Sequence, residues 1–341
     1  ACYGRLLHSE AALWRERAQI GPLKSVYLGG GTPSLLPGED VVKLLAGFAY
    51  TENVEITLEA NPESVNREKL DLWRAAGVNR LSLGAQSFDN GLLQAMGRPH
   101  TAAQIAETVL MARAAGFSNI SVDLIYGLPG QGLGVWRADL ALALALGVEH
   151  ISLYGLSLSA DSPWGRAAAE DKLQIADADI SADMLEAALD ILTKAGYTHY
   201  EISNFAKAGY ESRHNTAYWL RENYLGLGAA AASCAGEKRW FNQRELATYQ
   251  KELQAGRLPQ IEEERLSIEE VLSEALFLGL RLVRGVNLEE YAFRYGTRPE
   301  HYYKKPLRRL ERQGLVEIVQ GHLRLTQRGI LLGNEVFMQF V

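Results

Sequence analysis

Short runs rich in Val, Ile and Leu recur at residues 25–28, 55–58, 80–83, 120–125 and 150–153. Bounded apolar runs of this length read as buried strands. Between them, residues 67–76, 102–115 and 135–146 carry apolar positions at helical spacing, and each segment is followed by a glycine, Gly77, Gly116 or Gly147. Glycine just past the last periodic residue is a helix stop. Asn66 and Thr101 stand where N-caps belong, and the connections AAGVNR, AAGFSN and ALGVEH resemble one another. The repeated unit is βα, which predicts an α/β fold with a parallel sheet and helices outside it. On its C-terminal side each run gives way to polar or flexible residues: Gly29-Gly30-Gly31-Thr32, Glu59 and Asn61, Gln86 and Ser87, Asp123, then Tyr154 and Ser157. Functional groups spread over successive strand ends favour a barrel over an open sheet, whose site gathers at one switch point.

After about residue 165 the βα rhythm fades into a helix over 179–194, an apolar-polar stretch at 197–202 and a Gly/Ala-rich run at 226–235. From Ser267 the texture changes again: helical patterns at 268–281, 288–295 and 300–312 precede a hairpin turning at Gln320-Gly321. Helices closed by a hairpin predict a winged-helix-like module. The expected organisation is a barrel core over residues 1–165, a barrel extension over 166–260 and a C-terminal winged-helix-like domain over 261–341, with the boundary in an acidic linker at 259–266.

Composition narrows the classes. Apolar residues make up 47% of the 341 and charged residues 22%, ordinary values for a chain that folds throughout. A net charge of −6 draws the protein towards neither nucleic acid nor an anionic surface as a whole. Cys2 and Cys234 are too few for a disulfide framework and fit a reducing compartment, the cytoplasm. The first 17 residues carry charges throughout, so a signal peptide or membrane anchor is not expected, and contact with a membrane would be peripheral at most. The chain opens without Met at the threshold of a helix, and a leading segment is expected upstream.

Three consecutive glycines directly after a strand let a charged small ligand lie against bare backbone N–H and C=O groups. Glu59 could accept from an ammonium group or a ribose diol, Gln86 offers the neutral version of that chemistry, and Arg98 has the planar fork that suits a carboxylate. Asp123, inside an apolar strand, needs a partner. His214-Asn215 with Tyr218-Trp219 forms a compact H-N-x-x-Y-W cluster, which combines a candidate axial ligand with flat apolar surface. The same residues could instead be capped loops, ion pairs and packing. No other His or Cys spacing suggests a metal site.

The segments YLGGGTPSLL, EITLEANPESV, GVNRLSLGAQSFDN, MGRPH, ISVDLIYGLPGQ, ISLYGLS, YEISNFAKAGYESRHNTAYW and YLGLGA, in this order, resemble the branch of the radical S-adenosylmethionine (SAM) superfamily that holds the HemW haem chaperones and the oxygen-independent coproporphyrinogen III oxidases. That resemblance implies a partial (β/α)6 barrel with SAM across the strand C-termini and a C-terminal winged-helix-like domain. By position, Gly30, Gly31 and Thr32 match the loop at the methionine end of SAM, and Glu59, Gln86, Arg98 and Asp123 match its other contacts. The H-N-x-x-Y-W cluster (His214, Asn215, Tyr218, Trp219) is similar to the motif that marks the chaperones and is implicated in haem binding. The resemblance therefore implies a haem- and SAM-binding chaperone that delivers haem to acceptor proteins, respiratory proteins among the candidates. The alternative is oxidative decarboxylation of coproporphyrinogen propionates by a 5′-deoxyadenosyl radical. The family's C-x-x-x-C-x-x-C motif, which holds a [4Fe–4S] cluster, is expected upstream of Tyr3 together with the first strand, and Cys2 could be a remnant of it. Gly132 stands where the family usually has Thr, and Ala230 where it usually has Gly. DNA binding is the rival reading of the C-terminal module. Between Glu300 and Arg328 seven Lys and Arg oppose three acidic residues, too modest an excess for a nucleic-acid partner.

Overall fold

A computed structural model of the chain describes residues 3–18 and 20–340. Cys2 lies outside the described residues. The main sheet has seven strands: β1 (Leu23–Leu28), β2 (Tyr50–Ala60), β3 (Arg80–Gln86), β4 (Ile120–Tyr126), β5 (His150–Gly155), β6 (Thr198–Glu201) and β7 (Asn204–Ala206), in the order β1-β2-β3-β4-β5-β7-β6. Strands β2 to β5 pair in parallel, with Glu59 opposite Ser82 and Asp123 opposite Ser152. Parallel neighbours need crossovers, and the helices Arg67–Ala75, Ala102–Ala114 and Leu133–Ala145 supply them. Asn66 caps the first and Thr101 closes a capping box on the second. Gly77, Gly116 and Gly147 take φ of 98°, 89° and 65° just past the helices. The βα reading holds, and the sheet closes with the antiparallel β7 and β6.

The predicted apolar runs prove to be half polar. Leu58, Leu81, Leu83, Val122, Leu124 and Ile151 are fully buried on one side of the strands. Thr57, Arg80, Ser82, Ser121, His150 and Ser152 alternate with them and are buried too. A strand's side chains alternate with period 2, so the sheet has an apolar face for its helices and a polar face whose Thr57, Arg80, Ser82, Ser121, His150 and Ser152 are buried while Glu59 and Asp123 are partly exposed.

By compactness the chain forms two units, one of Tyr27–Leu35 and Glu55–Glu211, the other of Ala1–Val26, Leu36–Val54 and Ser212–Val341. In the second unit β8 (Ala232–Ala235), β9 (Lys238–Asn242) and β10 (Gln260–Arg265) make an antiparallel sheet in the order β10-β9-β8. The acidic stretch expected as a linker is thus a strand. It pairs with a basic one, Lys238 bonding Glu263 at 2.7 Å and Arg265 reaching Glu237 at 3.1 Å. The helix Tyr3–Arg17 is pinned by Glu10, fully buried, whose carboxylate accepts from Gly228 N–H (2.8 Å), Asn242 Nδ2 (2.6 Å) and Tyr249 O–H (2.6 Å).

The chain's last part holds a small sheet in the order β11-β13-β12, of β11 (Val286–Asn287), β12 (Val316–Val319) and β13 (His322–Leu325). Gln320 and Gly321 turn the hairpin with φ of 50° and 77°, as a two-residue primed turn requires. One expectation fails: the helix over 300–312 is two, Pro299–Tyr302 and Lys304–Arg312. Pro306 has no N–H for the carbonyl of Tyr302, and its ring crowds that carbonyl, so the first helix stops there.

Candidate functional site

The C-terminal ends of β1 to β4 bring most of the predicted ligand-binding residues of the first unit into two groups. In the first, Gly30 and Gly31 take φ of +78° and +58° with no atom within 4 Å of where a Cβ would stand, leaving open backbone. Gly30 N–H donates to Glu59 Oε2 (3.1 Å) and Tyr27 O–H to Glu59 Oε1 (2.7 Å). Each Glu59 oxygen keeps a lone pair for a further donor. Thr32 follows in the same loop, its carbonyl accepting from Leu35 N–H at 3.0 Å. In the second group, Arg98 Nη1 approaches Asn61 Oδ1 at 3.4 Å. A Cβ on Gly84 would meet Gln86 Nε2 at 2.9 Å and Asn61 Oδ1 at 3.0 Å, so this glycine makes room for both amides. Gln86 itself takes φ of 68°, a strained conformation for a residue with a side chain and one found often at functional sites.

Asp123 lies deeper on the polar face. The hydroxyl of Ser82 donates to it at 3.2 and 3.3 Å. Burial pushes its carboxyl up to about 6, against the Ser152 hydroxyl and the Arg80 charge, which pull it down. Behind it His150 bonds Ser121 Oγ and Tyr200 Oη, both at 2.8 Å, and burial holds its pKa well below the usual value. Arg80, 2% exposed, has its Nε without a hydrogen-bond partner. Sequence reasoning does not single out Tyr27, Arg80 and His150, although a signal for the last two exists: Arg80 and Ser82, Ser121 and Asp123, His150 and Ser152 are polar pairs two residues apart, the period of one strand face.

The H-N-x-x-Y-W residues lie in the other unit, on the helix Arg213–Trp219, whose cap Ser212 accepts from Asn215 N–H at 3.2 Å. His214 Nδ1 meets Ser25 Oγ at 3.1 Å. One helical turn on, Tyr218 meets the His214 ring edge-on at 4.8 Å, and Tyr224 meets Tyr218 the same way at 4.7 Å. Trp219 is engaged differently: the Arg281 guanidinium stacks 4.4 Å from its ring centre, and its buried Nε1 has no hydrogen-bond partner. His214 and Tyr218 thus come together, while Trp219 packs with a cation.

Ala230 takes φ of 61°, in the left-handed region that glycine adopts freely. Gly132 is the N-cap of the helix Leu133–Ala145 and offers no side chain to it. Among the described residues no group of three or more His, Cys, Asp or Glu is arranged to hold a metal ion. Nor is any described helix long and apolar enough to cross a membrane.

Comparison with known proteins gives these sites a context. A sequence model of the Radical SAM superfamily matches residues 9–143, and one of the HemN C-terminal domain matches residues 266–332. Heme chaperone HemW of Lactococcus lactis is 37% identical over 327 residues, 95% of this chain and 86% of the relative. Heme chaperone HemW of Bacillus subtilis is 36% identical over 94% of this chain and 86% of its own length. Among solved structures, coproporphyrinogen III oxidase (HemN) of Escherichia coli, a radical SAM enzyme, superposes with a TM-score of 0.84 over 99% of this chain and 82% of its own; at 23% identity that likeness shows the fold alone. With two relatives matched above 30% identity along nearly the whole chain, this protein belongs to the HemW family of the radical SAM superfamily.

Proposed function

We propose that this chain is a haem chaperone that binds haem at the His214 helix, binds SAM at the strand ends, and passes haem to acceptor proteins. The family supports the chaperone reading, and the placement of His214 carries the haem assignment. Its ring is oriented by Ser25 through Nδ1 and braced by Tyr218. Fixing a ligating imidazole through its other nitrogen is how proteins prepare a histidine for a metal. Asn215 and Trp219 then belong to the haem site through the helix they share with His214.

Radical SAM proteins work with SAM and a [4Fe–4S] cluster, which together supply one-electron chemistry. The donor set here fits the SAM part. Open backbone at Gly30 and Gly31, followed by Thr32, lies beside a carboxylate that can accept from an ammonium group. Arg98 and Gln86 add a carboxylate-binding fork and an amide, and Asp123 adds a half-buried acceptor.

The test is to titrate haem into the wild type and into His214→Ala, and then to mix the loaded protein with an apo-acceptor. Loss of the imidazole should shift or broaden the Soret band, since the iron changes its ligand. A wild-type spectrum and affinity in His214→Ala would remove His214 as ligand. Trp219→Ala, whose ring is stacked by Arg281, should lower the melting temperature and leave the Soret position unchanged. Anaerobic incubation with coproporphyrinogen should give no protoporphyrinogen, and its formation would favour the oxidase instead.

A further inference from the structure

Two residues beyond the H-N-x-x-Y-W helix, the charge balance changes. Glu274, on the helix Ile268–Gly279, accepts from Arg221 Nε at 3.1 Å and also pairs with the guanidinium of Arg239. The three side chains are 6% (Arg221), 16% (Glu274) and 25% (Arg239) exposed. Two guanidiniums thus share one carboxylate in a largely buried place; Glu270, one turn earlier on the same helix, also acts on Arg239, but it is exposed and engaged at the Ser267 cap. A third, Arg294, bonds the Leu220 and Arg221 carbonyls at 2.6 and 2.7 Å and holds this backbone in place. Arg221 takes φ of 52°, and its buried Nη2 has no hydrogen-bond partner.

Burying a cation without its full complement of acceptors is costly. Such an arrangement is an expensive source of stability, and a ligand that brings a carboxylate would complete it. Each guanidinium offers a fork of five N–H donors, and Glu274 takes up only one edge of each. The position also fits. The rings of His214, Tyr218 and Tyr224 form a continuous row, and the backbone of Tyr224 bridges to Cys234, which pairs with Arg239 across β8 and β9. The row therefore runs from the proposed iron ligand to the arginine pair.

We infer that Arg221 and Arg239 form a carboxylate subsite that receives a propionate of haem. This rests on the haem reading above and adds the feature of the ligand that the site selects. The rival is a structural triad that ties β9 to the helix Ile268–Gly279 and has no part in binding.

Esterified haem separates the two. Haem and haem dimethyl ester, which keeps the iron and ring but masks both carboxylates, are titrated into the full chain in the same dilute detergent. The wild type should prefer the free acid by about tenfold or more, the worth of a charge-assisted pair. Arg239→Gln should lose most of that preference while binding the ester as the wild type does. Arg239→Lys keeps the charge beside Glu274 but not the fork, and should lose part of it; it carries the test if the Gln variant does not fold. Equal binding of acid and ester by the wild type overturns the subsite and leaves the haem reading standing. Full preference in both Arg239 variants assigns the carboxylate elsewhere and overturns it too. If the wild type binds neither compound, the haem reading fails and the subsite with it.

Discussion

At the scale of single residues, Asp123 and Ala230 show how one position can carry a measurable consequence. Burial raises the Asp123 carboxyl to about 6, so it is protonated at pH 5 and ionised at pH 7. A donor on SAM would be accepted by the ionised form. Affinity for SAM should therefore rise about tenfold from pH 5 to pH 7, since one pH unit below its pKa only about a tenth of the group is charged. Calorimetry at several pH values should show this slope in the wild type and a flat profile in Asp123→Asn; the same slope in the variant would assign it to another group. The linked effect on stability has the opposite sign. A carboxyl whose folded pKa is raised stabilises the fold most below its unfolded value near 3.8, and that contribution is lost as pH rises through about 6. Ala230 holds a left-handed φ of 61° that glycine takes freely. Ala230→Gly should therefore stabilise the protein by about 0.5–1 kcal/mol in a denaturant titration, the relief of strain exceeding the added chain entropy.

At the scale of elements, the helix Tyr3–Arg17 depends on one carboxylate. Glu10 satisfies the N–H of Gly228, the amide of Asn242 and the hydroxyl of Tyr249, which come from three separate pieces of chain. Removing it strands three buried donors, so Glu10→Ala should cost about 3 kcal/mol or more, read as a fall in the denaturation midpoint. Glu10→Gln keeps an acceptor and should cost less. Burial raises the pKa of Glu10, so its contribution is fully present below the unfolded value and declines as pH rises through the folded one. The Gln variant should show a shallower decline of stability with pH than the wild type. The turn of the β12–β13 hairpin is a second such element. Gln320 there takes φ of 50°, and Gln320→Asn should raise the melting temperature slightly, because Asn tolerates the left-handed region better than Gln.

At the scale of the whole molecule, the chain passes from one compact unit to the other at residues 26–27, 35–36, 54–55 and 211–212. No single cut yields either unit. A fragment of residues 212–341 lacks Glu10 and the helix that carries it, and should therefore melt without a cooperative transition in circular dichroism. Sharp, reversible melting of that fragment would mean that it folds without the Tyr3–Arg17 helix.

The βα repeat is legible in the chain itself because local signals state it directly. Asn66, Thr101 and the glycines after each helix set element boundaries through backbone chemistry alone, and they fall where expected. Gly30, Gly31, Thr32, Glu59 and Gln86 are legible for the same reason, each standing at the end of an apolar run, and Asp123 is legible as a lone acid inside one. What pairs with each of them is not. Glu59 is bonded by Gly30 and Tyr27, some 30 positions away, and Asp123 by Ser82, 41 positions away, and such partners are set by strand order and register. The polar face of the sheet is hidden because its residues alternate with Leu and Val inside runs that look apolar. The two arginines on Glu274 are separated by 18 positions from each other and by 35 or more from the carboxylate. Periodicity and capping act over a few residues, whereas pairing of charges at that distance exists only once tertiary packing has removed the water between them.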